Sequence, residues 1–280
     1  MKHNYKLWTE LPYAGESSPP TNPEQPFAGS WPTYYLKRSS HGGFETLNGK
    51  PIKLAIKNPN DIDWNHQLKI VQNIQKMLTL QQIAIAKYWG TGVPTKQLTP
   101  IMDRLIDTYG CTPSKAARIL AAVQAGVNDV GVVAWYLKFK WLVARPDQLD
   151  HNFATILCTP RHPTYPAGHS VVAGCASTIL SYFFPPEKAR LIDLAEQCSL
   201  SRQYAGVHFL VDGIEGLRLG RQIGHIIVDI LKKQKDSTGA PIDIPVLKNL
   251  HAVMPPPPFT QMIPFNFVKK CTSKVLPTSK

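Results

Sequence analysis

Polar and apolar positions alternate with a helical period through the middle of this 280-residue chain and show little period at its ends. Between Ile62 and Trp89, the residues Leu68, Val71, Ile74, Met77 and Leu78 recur at the spacing of one long amphipathic helix. The stretch LTPIMDRLIDTYG predicts a second helix. Thr112 followed by Pro113 has the form of an N-cap with proline at the first helical position. From there PSKAARILAAVQAGVNDVGVVAWYLK continues as a helix that carries Trp135 and Lys138 toward its far end. An irregular stretch, CTPRHPTYPAGH, then leads into the apolar SVVAGCASTILSYFF, which reads as a buried helix. PPEKARLIDLAEQCSLSR restarts a helix after its prolines, and HFLVDGIEGLRLGRQIGHIIVDIL is the last strong one. Within it Gly216, Gly220 and Gly224 form a smooth ridge on which a neighbouring helix can pack closely. Strand-like alternation is scarce, and no glycine-rich nucleotide loop follows a strand. The expected fold is all-α, a helical bundle with sites between facing helices.

The ends divide the chain into three expected parts. Residues 1–60, rich in Pro, Gly, Ser and Asn, predict an extended N-terminal arm. Residues 61–235 form the helical-bundle domain, and residues 236–280, with a PPPP run, form an irregular basic tail. The apolar runs are read as too short to span a bilayer, and the first residues lack the apolar stretch of a signal peptide. Five scattered cysteines without CxxC spacing read as reduced thiols, with Cys175 and Cys198 as small core residues. These features predict a cytoplasmic protein without a membrane span. The net charge of +12 is dispersed rather than gathered into a stripe, which favours small anions over nucleic acid as partners. The glycine ridge and trailing arms are compatible with a homodimer.

Three stretches carry unusual chemistry, and they follow one another in order. KFKWLVARP holds Lys138, Arg145 and Pro146; YPAGH holds Gly168 and His169; SRQYAGVHFLVD holds Arg202, His208 and Asp212. Lys138, Arg145 and Arg202 supply three cations. Gly168 offers a backbone amide at a predicted helix N-terminus, where anions are favoured. His208 and Asp212 are four apart, so on a helix they share a face, and the carboxylate can fix one imidazole nitrogen while the other stays basic. Two histidines in different surroundings suit two roles, one on the anion's central atom and one moving protons.

The ordered trio KX6RP, P-x-G-H and SRX5HX3D resembles the signature of the type 2 phosphatidate phosphatase (PAP2) and vanadium haloperoxidase superfamily. The motifs span Lys138 to Asp212, and the helical pattern extends the resemblance over about residues 62–231. It implies a helical bundle of the PAP2/haloperoxidase type that holds phosphate or vanadate. By family role Lys138, Arg145, Gly168 and Arg202 bind the anion's oxygens, and His208 bonds phosphorus or vanadium. His169 is then the acid–base residue, and Asp212 orients His208. Trp135, three residues before Lys138, and His162, seven before His169, stand where haloperoxidases carry a tryptophan and where bromide-oxidising members carry a histidine. The resemblance therefore implies a vanadate-dependent enzyme that oxidises halide, with bromide favoured, using hydrogen peroxide. The alternative is a soluble phosphatase that hydrolyses phosphate monoesters through a phosphohistidine, with no cofactor. One departure stands out: the family's usual serine between proline and glycine is Ala167.

Overall fold

Local caps at Asp63 and Thr79 decide where the first two α-helices of this chain start. The structure, a computed structural model, describes residues 3–263 and 271–276. The region predicted as one helix is two, α1 (Trp64–Lys76) and α2 (Leu80–Gly90). The break comes at Thr79, whose hydroxyl accepts from the Gln82 amide while the Gln82 side chain accepts from the Thr79 amide. This reciprocal box starts a new helix and overrides the apolar spacing that runs through it. α3 (Pro94–Thr108) and α4 (Pro113–Trp141) follow, each with proline in its first turn. Thr112 holds the N-cap position of α4, but its side chain makes no cap bond. The short α5 (Pro146–Leu149) precedes the irregular stretch, and α6 (Gly168–Phe183), α7 (Lys188–Tyr204) and α8 (Leu210–Leu231) complete the bundle.

α4 corrects one expectation, because its 29 residues are long and apolar enough by length and composition to cross a bilayer. In this fold it is a core helix. Val123, Val130, Val133 and Leu137 pack in the same buried cluster as Val171, Cys175 and Ile179 of α6 and Ile223 and Ile227 of α8. α6 and α8 lie closest, and the glycine ridge is the reason. A Cβ at Gly220 would stand 2.1 Å from the Val171 carbonyl oxygen, a contact that backbone cannot relieve. At Gly224 it would meet the Thr178 side chain at 2.7 Å. The ridge serves packing inside the bundle.

The arms pack on the bundle. Asp129, buried in α4, accepts the amides of Tyr34, Tyr35 and Leu36 at 2.8, 2.7 and 3.2 Å, and so anchors the N-terminal arm. The arm contains the small exception to the all-α reading, an antiparallel pair of three-residue strands, β1 (Leu36–Arg38) and β2 (Phe44–Thr46). Farther back, Tyr13 donates to the Pro160 carbonyl and Glu16 pairs with Arg161, which brings the arm against the irregular stretch. Residues 271–276 cross the same stretch. Thr155 donates to Lys274, Leu276 donates to Thr155, and Lys274 donates to Ala14 of the arm. Cys158 and Cys271 form a disulfide there, which corrects the expectation of five reduced thiols; Cys175 and Cys198 are buried and free as expected. Scattered spacing hid the pair, since residues 113 apart meet only when the chain folds back on itself. The rest of the basic tail, 264–270 and 277–280, lies outside the described residues.

Candidate active site

Lys138 reaches the site from the last turn of α4, Arg145 from the start of α5, Gly168 and His169 from the first turn of α6, and Arg202 from the last turn of α7. His208 and Asp212 come from the entry to α8. Their meeting differs from the sequence expectation. His208 precedes the N-cap Phe209 and is not helical; Asp212, in the first turn, turns back so that its Oδ2 accepts the Phe209 amide at 3.0 Å and meets His208 Nδ1 at 2.9 Å. Capping geometry, rather than a shared helix face, makes the pair.

Arg145 is the hub. Its Nε donates to the His162 carbonyl at 2.9 Å and Nη1 donates to the Val207 carbonyl at 2.7 Å. Nη1 also lies 3.1 Å from His208 Nε2, and Nη2 lies 3.0 Å from His162 Nδ1. Lys138 Nζ donates to the carbonyls of Pro163 and Thr164 at 2.7 and 2.9 Å. Arg202 donates from Nη2 to the Ala86 carbonyl and from Nε to Ser201, and His169 Nε2 donates to the Trp89 carbonyl at 3.0 Å. The last turn of α2 therefore presents carbonyls to a cation and an imidazole, as the negative end of a helix should. Trp135 donates to the Glu24 carbonyl of the arm at 3.1 Å, and its ring sits 4.9 Å from that of His162. All nine residues named from the sequence as site candidates fall in this one region.

Burial and mutual repulsion shape the charges. Lys138 is held well below the usual ammonium range by burial first and the Arg145 charge second. Burial also lowers Arg145, and it brings Arg202 down to about 10. His162, His169 and His208 are all pushed well below the ordinary imidazole value, by burial and then by the surrounding cations. Asp212 is raised to about 6 by burial, against the opposing pull of its Thr164 hydrogen bond and Lys138. Unpaired buried charge is costly, and cations that repel one another want an anion between them.

That donor set fits an oxyanion. Three cations converge around His208, with the Asp212 carboxylate among them and Asp147 and Glu24 near Arg145. The N-terminus of α6 has no side-chain cap, so its first amides keep donors for a ligand. A Cβ on Gly168 would stand at ordinary contact, 3.5 Å, from the Trp135 ring. No protein atom requires glycine there; a ligand resting on the amide would. Among the described residues no three His, Cys, Asp or Glu side chains gather as they would around a bare cation. Ala167 is fully buried, and its amide donates to the Asp212 carbonyl, so the position of the missing hydroxyl lies in the wall of the site.

Residues 116–236 match the PAP2 superfamily. The match spans less than half of this chain. A vanadium-dependent bromoperoxidase of Corallina pilulifera is 31% identical over 170 residues, which are 48% of this chain and 28% of that protein. The vanadium-dependent bromoperoxidase of Corallina officinalis is 30% identical over 108 residues, 29% of this chain and 18% of that one. The matched part is thus under a third of either relative's length. Among solved structures, a bacterial vanadium-dependent iodoperoxidase superposes with a TM-score of 0.62 at 20% identity, covering 82% of this chain and 62% of that one. An apo bacterial vanadium-dependent chloroperoxidase gives 0.58 at 13% identity, covering 83% and 63%. These likenesses show that this chain shares the fold of those structures over most of its length.

Sequence reasoning missed several contributors to this site. Thr164 contacts His208 and Asp212, Trp89 and Ala86 hold His169 and Arg202, and Glu24 holds Trp135. Most act through backbone carbonyls, which leave no residue-type signal; Thr164, inside CTPRHPTYPAGH, acts through its own side chain as well. Asp147 was missed too. It is fully buried, bonded on Oδ2 by Thr159 at 2.6 Å, with Oδ1 unpartnered among the described residues. Burial pushes its carboxyl up from 3.8 to about 6. The folded state therefore holds the proton more tightly than the unfolded chain, and this contribution, complete below about pH 4, is lost as pH rises through about 6. Asp147→Asn is expected to flatten the wild type's fall in stability across that window, with a gain at pH 8 of at most about 3 kcal/mol. Urea unfolding at pH 4, 6 and 8 checks it; parallel curves for the two proteins would contradict it.

Proposed function

We propose that this chain is a vanadium-dependent haloperoxidase-type enzyme, oxidising halide with hydrogen peroxide and favouring bromide. The observation that supports this most is the buried trio Lys138, Arg145 and Arg202 around a His208 whose Nδ1 meets Asp212 while its Nε2 faces Arg145. Lys138, Arg145, Arg202 and the Gly168 amide would hold the oxygens of vanadate, and His208 Nε2 would hold its vanadium. Bound vanadate supplies a Lewis-acidic centre at which peroxide is activated toward halide.

The chain's own residues do the rest. The three cations neutralise oxyanion charge in a site from which burial excludes water, where each interaction is strong. Arg145 gives up its Nη1 contact with His208 to the incoming oxyanion and keeps its bond to Val207, so little reorganisation is needed. His169, in the first turn of α6, accepts and returns the proton of the reacting oxygen, with its ring oriented by the Trp89 carbonyl. Trp135, which lies against Gly168, and His162, tilted against the Trp135 ring, form the wall along which halide approaches. His162 is also tied to Arg145 through Nδ1, so it positions the guanidinium as well.

The test is a pair of assays on one preparation. Vanadate-loaded protein with bromide, peroxide and a halogen-accepting dye is expected to brominate the dye. No dye bromination, together with hydrolysis of p-nitrophenyl phosphate by vanadate-free protein, would assign the same pocket to phosphoester hydrolysis instead.

A further inference from the structure

Thr164 touches three residues of the site, Lys138, His208 and Asp212. Its amide donates to the Val143 carbonyl at 3.0 Å and its own carbonyl accepts Lys138 Nζ at 2.9 Å. Its hydroxyl donates to Asp212 Oδ2 at 2.5 Å and lies 3.1 Å from His208 Nδ1. The side chain is fully buried, as is that of Asp212.

A count of protons turns these contacts into a constraint. A threonine hydroxyl has one hydrogen and two acceptor lone pairs, and an ionised carboxylate only accepts. The hydrogen of Thr164 goes to Asp212 Oδ2, so toward His208 the hydroxyl oxygen has only lone pairs to offer. Nδ1 must then carry the imidazole proton, which it shares between Asp212 Oδ2 at 2.9 Å and Thr164 Oγ1 at 3.1 Å. The other nitrogen, Nε2, keeps its lone pair, which Arg145 Nη1 meets at 3.1 Å. The three groups close a ring of hydrogen bonds with one permitted direction. The carboxylate alone would favour the same tautomer; the hydroxyl adds a second acceptor beside the carboxylate oxygen, at the same ring nitrogen.

We propose that Thr164 is a positioning residue for His208, whose hydroxyl, committed as donor to Asp212, holds the proton on Nδ1 and keeps Nε2 bare and aimed at the oxyanion. The same residue's carbonyl ties Lys138 into that geometry. This inference rests on the reading of His208 as the group that bonds the oxyanion's central atom.

Thr164→Val keeps the shape and removes the hydroxyl, and Thr164→Ser keeps the hydroxyl. In vanadate-free protein labelled with 15N-histidine, the wild type is expected to show His208 with Nδ1 protonated and Nε2 bare, identified by its disappearance in His208→Ala. Thr164→Val is expected to shift this signature toward mixed tautomers and to weaken orthovanadate or phosphate binding about tenfold. Thr164→Ser should restore both to within about twofold. A Thr164→Val protein with wild-type imidazole signals and wild-type affinity would overturn the proposal. If Thr164→Val does not fold, Thr164→Ala carries the same comparison. A wild type with the expected signature, lost in the variant, but with no affinity for either oxyanion would support the positioning role and remove the enzymatic reading.

Discussion

His169→Ala is expected to bind orthovanadate as the wild type does, within about twofold, while halide-oxidising turnover falls about 10²–10⁴-fold. The split follows from where the residue sits. His169 makes its hydrogen bond to the Trp89 carbonyl rather than to another group of the cation cluster, so removing the ring leaves Lys138, Arg145 and Arg202 in place. It also removes no charge: burial, Arg202, Lys138 and Arg145 all press its imidazole toward the neutral form. What is lost is a group able to take and return a proton next to the anion site. Steady-state assays at saturating bromide and peroxide, beside a vanadate titration, measure the two quantities separately. Undiminished turnover would show that another group moves the proton.

His208→Ala is expected to do the reverse, weakening orthovanadate binding by at least about 100-fold and reducing catalysis to background. The variant loses the nitrogen proposed to bond vanadium. It also leaves Arg145 Nη1 without its imidazole contact and Asp212 Oδ2 with two donors, Thr164 and the Phe209 amide, where it had three. A single charge-assisted hydrogen bond is worth about 1.5–3 kcal/mol, or roughly 10–100-fold, and a direct bond to the central atom adds to that. Imidazole added in solution should restore part of the affinity if the cavity left by the side chain stays open. Wild-type affinity in His208→Ala, with an unchanged far-UV circular dichroism spectrum, would remove His208 from the site.

How legible this molecule is from its sequence depends on the interaction concerned. The bundle helices were readable because apolar period and proline or glycine punctuation agree, as in α4 from Pro113 and along the ridge of α8. The break between α1 and α2 was not read, because Thr79 and Gln82 override a continuous apolar spacing with two local hydrogen bonds. The charged site residues were readable because their types are unusual in such an order. Their geometry was not: His208 and Asp212 meet across a cap rather than along a helix. The carbonyls of Ala86, Trp89, Pro163 and Val207, which hold the side chains of Arg202, His169, Lys138 and Arg145, belong to ordinary residues. The roles of the two ends were hidden for a different reason. Contacts such as Glu24 with Trp135, or Cys158 with Cys271, join positions more than a hundred residues apart and follow no local pattern.

Beneath every role assigned above lies the idea that mutually repelling buried cations have been assembled to receive one small oxide. Calorimetric titration of the intact protein with sodium orthovanadate at neutral pH and low salt measures this directly. The expected result is saturation at one oxyanion per chain, competed by inorganic phosphate. A folded protein that takes up neither ion would contradict the account.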